Sequence, residues 1–155
     1  FLAMGADVVV VSNSGEEKIL GWLSAAGIPA RSVHDSSPHN GEPCFRVRGS
    51  AAKFLLGDGD ASIKVGGRNI SIDRPKYREV LEIENADFVI GDVFSLDLAL
   101  PFALRSAGVP WAPRELVLRR HDYTPAWIAS TSADGAIDHL ISSLTDLCDL
   151  CESRT

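Results

Sequence analysis

Long apolar runs, basic blocks and paired cysteines are all missing from this 155-residue chain. The longest apolar region, residues 87–104, is interrupted at its centre by Asp92 and Asp97, so no stretch reaches the roughly 18 apolar residues of a membrane-crossing helix. The chain is read as having no membrane partner. Fifteen Lys and Arg against 21 Asp and Glu leave a net charge of -6, with no block of cations to neutralise a row of phosphates, which argues against nucleic acid as a partner. Three cysteines, an odd number, cannot complete a disulfide framework. Cys44, Cys148 and Cys151 therefore point to a reducing compartment, and the cytoplasm is the expected location. There is no internal repeat and no low-complexity tract.

The composition that remains, 45% apolar with 23% charged, is that of a chain that buries a core. Its length suits one domain. Phe1-Leu2-Ala3-Met4 followed by Gly5 reads as the last turn of a helix with its terminating glycine, so the chain is expected to begin inside that domain.

Hydrophobic patterning predicts alternating strands and helices. Residues 7–12 form a β-branched run expected to be a central strand buried on both faces, and Ile19, Leu20, Trp22, Leu23 and Ala26 recur at helical spacing up to Gly27. Residues 29–43 are loop-rich, with one short strand at 30–34. Residues 44–48 alternate like a strand, and residues 61–65 and 69–72, joined through Gly66-Gly67, read as a hairpin; the insertion is placed at about 44–72. Pro75 is placed to open a helix over 76–84. Residues 87–92 are read as a second buried strand, followed by a helix over 96–107, a strand over 115–119 and an amphipathic helix over 136–150 carrying Ile137, Leu140, Ile141, Leu144 and Leu147 on one face. This alternation indicates an open, mainly parallel α/β sheet of the Rossmann-like kind, with helices on both faces and a small inserted hairpin.

In such a sheet ligands bind beyond the carboxyl ends of the strands. One predicted strand ends in Ser12 and Asn13, a hydroxyl and an amide. Another ends in Asp92, with Asp97 in the helical turn that follows. Each Asp taken singly reads equally well as a helix cap. Taken together after a buried strand, they suit Mg2+, which takes one or two protein carboxylates plus waters and a phosphate oxygen. Ser12 and Asn13 would then hydrogen-bond a phosphoryl group. Other features carry less. Cys148 and Cys151 share a predicted helix with no second ligand pair, and His34, His39, His121 and His139 are scattered among polar residues.

The pattern resembles the haloacid dehalogenase (HAD) superfamily of phosphohydrolases. Val8-Val9-Val10-Val11-Ser12-Asn13 is similar to its second motif, and Gly91-Asp92-Val93-Phe94-Ser95-Leu96-Asp97 to its fourth; Ala107-Gly108-Val109 and the strand over 115–119 match the usual continuation. The resemblance implies a HAD-like sheet, Mg2+ as cofactor, a small phosphorylated substrate, and hydrolysis through an aspartyl-phosphate. Asp92 and Asp97 would serve the metal, and Ser12, Asn13, Asp97 and a third-motif cation would serve catalysis. The family's lysine is replaced in Asp73-Arg74-Pro75-Lys76 by Arg74, with Lys76 two residues on and Lys53 a further candidate. The family's first motif, which carries the attacking Asp, is expected upstream. Asp58-Gly59-Asp60 offers Asp-x-Asp in the wrong order, between glycines that read as a loop. The alternative is a non-catalytic α/β binding module on the same scaffold.

Overall fold

The computed structural model describes residues 1–36, 42–128 and 135–152, the last four by backbone alone; among them are eight short strands and four α-helices in an α/β arrangement. The chain divides into two compact units, Phe1–Phe54 and Leu55–Thr155. No helix among the described residues is long and apolar enough to cross a membrane. Residues 37–41, with His39, and the side chain of Cys151 lie outside the described set, while the backbone places Cys148 and Cys151 on one helix at the end of the chain, as expected.

In the first unit, β1 (Val9–Val11), α1 (Glu16–Ala25), β2 (Ala30–Ser32) and β3 (Phe45–Arg48) form a parallel sheet in the order β1-β3-β2, with Val47 opposite both Val10 and Ser32. The β-branched run of β1 favours the extended backbone. Glu16 and Glu17 suit the positive end of α1. A Schellman arrangement closes that helix, Gly27 N–H bonding Ser24 O at 3.0 Å and Ile28 N–H bonding Leu23 O at 2.9 Å. Arg46 grips both Asp7 oxygens at 2.9 and 2.8 Å, and its hydrogen bond holds the Asp7 carboxyl below its usual range.

Two expectations change here. The valine run is an edge strand, half-buried throughout, while the fully buried centre is Val47 of β3. An apolar run reports burial but not rank within a sheet, because rank is set by which later segment pairs with it. For the same reason Phe45–Arg48 belongs to this sheet and not to the hairpin insertion.

The second unit opens with the hairpin of β4 (Ser62–Val65) and β5 (Arg68–Ser71), antiparallel with Ile63 opposite Ile70. Gly66 and Gly67 at its tip have φ of 55° and 75°, which the tight two-residue turn requires. There follow α2 (Pro75–Glu84), β6 (Phe88–Gly91), a π-helical turn (Phe94–Leu98), α3 (Ala99–Ser106), β7 (Glu115–Arg119), β8 (His139–Ile141) and α4 (Leu144–Glu152). The strands form a parallel sheet in the order β6-β7-β8. Its centre is β7, where Leu116, Val117 and Leu118 are all inaccessible, so both faces of the strand are covered. Leu116 and Leu118 join Phe94, Leu98, Ala99, Ile128, Ala136 and Ile137 in one core, to which the hairpin adds Val65 and Ile70.

The strand predicted over 87–92 is an edge and not a doubly buried strand: Phe88 and Ile90, two residues apart and therefore on one face, are 38% and 41% exposed, while Val89 packs on the core. The helix predicted over 136–150 is in fact a strand, a turn and a shorter helix. β8 takes His139–Ile141 because pairing with β7 outweighs the helical spacing of Ile137, Leu140 and Ile141. The helix starts at Leu144, where Asp146 accepts the Ser142 and Ser143 N–H groups and Ser143 Oγ accepts the Asp146 N–H, a reciprocal cap.

Candidate functional site

The fourth-motif segment of the second unit is built around a buried carboxylate. β6 ends at Gly91, and Val93 enters the π-helical turn, whose widened ring is closed by the Ala99 N–H on Phe94 O. Such turns occur frequently at functional sites. The turn swings Asp97 back beneath the strand end, where its Oδ2 accepts the N–H groups of Asp92 at 3.3 Å and Val93 at 3.0 Å. Asp97 is only 5% exposed, and the buried Tyr77 hydroxyl of α2 donates to its main-chain oxygen at 2.7 Å. Burial, and then the nearby Asp97 charge, push the Tyr77 hydroxyl well above its usual range, while Arg74 pulls the other way.

Gly91 is glycine for want of space. A Cβ at this position would lie 2.9 Å from Asp97 Cγ and 3.0 Å from its Oδ2. Gly91→Ala must displace the carboxylate that organises the turn, and it is expected to cost about 1–3 kcal/mol, the usual penalty of overpacking. Urea unfolding measures it, and an unshifted midpoint would show that the turn accommodates the methyl.

Asp92 itself points outward from the strand tip. Its Oδ2 accepts the Tyr123 hydroxyl at 3.0 Å and lies 3.7 Å from His121 Nε2. Partial burial pushes the Asp92 carboxyl up, but the hydrogen bond from Tyr123, followed by its own backbone, outweighs that and holds it below its usual range. The Arg119 guanidinium, at the carboxyl end of β7, donates to His121 Nε2 at 3.0 Å. Asp92 and the segment 119–123 thus meet where the ends of two paired parallel strands come together, the usual ligand side of such a sheet.

The other sequence candidates are placed as follows. Arg74 is 8% exposed at the cap position of α2, close enough to act on Tyr77 and so on the Asp97 turn. Lys76 is a surface residue paired with Glu79 at 3.1 Å. Of the two, only Arg74 is brought toward the Asp92 and Asp97 turn. Asp58 and Asp60 are exposed in a loop whose Gly57 and Gly59 N–H groups bond Asp73 O at 2.9 Å and Asp73 Oδ2 at 2.6 Å. That is the loop expected there.

Ser12 and Asn13 belong to the first unit, at the carboxyl end of β1. Ser12 Oγ accepts the Ser14 N–H at 3.1 Å, and Asn13 Oδ1 accepts the Lys53 N–H at 2.8 Å. The segment after β3 is tied to this turn by Ser50 N–H on Ser14 O at 2.8 Å and Ala51 N–H on Ser12 O at 2.9 Å. These bonds hold Ser50 and Ala52 in the left-handed region, at φ of 50° and 47°, a strain that surrounding structure must over-determine. Asn13 is therefore a backbone anchor of its own unit. Lys53 has its Nζ 5.2 Å from the centre of the Phe54 ring.

Among the described residues no three or more His, Cys, Asp or Glu side chains are grouped to hold a metal. A divalent ion here would rest on Asp92, waters and a substrate oxygen, a donor set that suits Mg2+ and its retained waters. Sequence reasoning missed Arg119, His121 and Tyr123. The signal was there: they end or directly follow a strand predicted to be parallel to the one ending in Asp92. Compared with known proteins, the chain matches no family model, no curated protein and no solved structure.

Proposed function

We propose that the intact protein is a Mg2+-dependent phosphohydrolase of the HAD type, acting on a small phosphate ester, with Asp92 as the carboxylate that serves the ion. The observation that carries this reading is the Gly91-Asp92 strand tip, where a buried Asp97 fixes the main chain and leaves the Asp92 carboxylate facing outward. The Rossmann-like sheet is part of the same proposal. In the resembled fold the strand bearing the attacking Asp lies mid-sheet, upstream in the chain.

The chemistry is that of covalent catalysis. A carboxylate oxygen of the upstream Asp bonds to phosphorus as the ester oxygen leaves and takes up a proton. Water then adds to phosphorus and releases phosphate and the free carboxylate. Bound Mg2+ supplies charge neutralisation for the phosphate oxygens. Asp92 holds its carboxylate ionised and outward, Asp97 keeps the strand tip in place, and Arg74, with its planar fork of donors, is the cation nearer to that turn. Ser12 is assigned to the phosphoryl oxygens on the resemblance alone.

Magnesium titration by calorimetry, with turnover of a generic aryl phosphate, tests the reading on wild type and Asp92→Asn. Asp92→Asn is expected to lose more than about 100-fold in magnesium affinity, beyond what a lost outer-shell partner costs, and to lose turnover with it. Unchanged affinity would sink the assignment. Ion binding without turnover by the intact wild-type protein would favour the binding-module alternative.

A further inference from the structure

Asp92 is held at both ends. Its main chain is fixed by Asp97, and its side chain is met from the other side by Tyr123, whose hydroxyl donates to Oδ2 at 3.0 Å. The Tyr123 ring is 64% exposed, so core packing does not account for its position. It is oriented from behind instead, lying flat on the His121 ring with centroids 4.8 Å apart and planes 8° from parallel. His121 is in turn fixed by three bonds: Arg119 donates to its Nε2 at 3.0 Å, its own N–H donates to Thr124 Oγ1 at 2.8 Å, and the Thr124 N–H returns to its main-chain oxygen at 3.0 Å. Arg119 at the end of β7, with His121, Tyr123 and Thr124 in the turn that follows, thus places one phenol hydroxyl on one carboxylate oxygen.

We propose that Tyr123 is the positioning residue of Asp92: it occupies Oδ2 and turns Oδ1 toward a divalent cation carrying a phosphate oxygen. This rests on the reading of Asp92 as the carboxylate that serves the ion. A carboxylate that must hold an ion through few protein contacts gains from a fixed rotamer, and outer-shell partners of this kind typically govern metal affinity by about 10–100-fold. The role belongs to the hydroxyl and not to the ring, because phenylalanine keeps the stack on His121.

The test is Mn2+ titration by calorimetry on the intact protein as wild type, Tyr123→Phe and Asp92→Asn, with a urea midpoint for each. Tyr123→Phe is expected to bind Mn2+ about tenfold more weakly than wild type with an unchanged urea midpoint, a combination that a merely structural tyrosine would not produce. Equal or tighter binding by Tyr123→Phe would overturn the role of Tyr123 and leave Asp92 standing. Equal binding by Asp92→Asn and wild type, or no binding by wild type, would overturn the reading of Asp92 and this inference with it.

Discussion

Phe94→Ala is expected to destabilise the second unit by about 3–5 kcal/mol, the range for truncating a fully buried aromatic. Phe94 is wholly inaccessible, opens the π-helical turn, and meets Trp127 edge to face with centroids 6.1 Å apart. It shares the core with Leu98 of the same turn, Leu116 and Leu118 of β7 and the Val65 and Ile70 face of the hairpin. Removing the ring leaves a cavity that touches the sheet, the hairpin and the turn together, so collapse of any one of them cannot fill it. Against a typical total stability of about 5–15 kcal/mol, such a loss is a large share. Urea unfolding followed by tryptophan fluorescence reads it directly. Phe94→Leu, which retains most of the volume, is expected to recover the larger part. A loss below about 1 kcal/mol for the alanine variant would show that this ring does not knit the core.

Asp97→Ala is expected to cost about 3 kcal/mol, because it removes a charged acceptor from two backbone N–H groups at a site with little access to water. Those groups belong to Asp92 and Val93, so the strand tip that presents the outward carboxylate loosens along with the stability. Asp97→Asn separates the two roles that the sequence leaves open for this residue. An amide oxygen can still accept from Asp92 and Val93, so Asp97→Asn is expected to keep most of the stability and, if Asp97 acts by positioning, most of the magnesium affinity of Asp92. Loss of ion binding by Asp97→Asn at full stability would instead make Asp97 a direct ligand. The comparison needs only a urea midpoint and a magnesium titration for each variant.

The alternation of strands and helices, the hairpin at Gly66-Gly67, the helix opened by Pro75 and the Gly-Asp strand end were all legible in the sequence. Each is a local property: a β-branched run, a glycine pair or a proline biases the backbone within a few residues of itself. Rank and pairing were decided only by the tertiary structure. The valine run of β1 became an edge strand because β3, more than 30 residues later, took the centre. Residues 139–141 became a strand because β7 offered them a partner, although their apolar spacing is helical. The site divides in the same way. Asp92 and Asp97 were visible as a motif, five residues apart on a strand and the turn after it. Tyr123 was not, since it lies 31 residues from Asp92 and reaches it only because β6 and β7 run parallel and bring their carboxyl ends side by side. Likewise Arg74 and Lys76, two residues apart and both cations, are equivalent in the sequence; the start of α2 buries the first and leaves the second on the surface, because side chains so spaced near a helix start point in different directions.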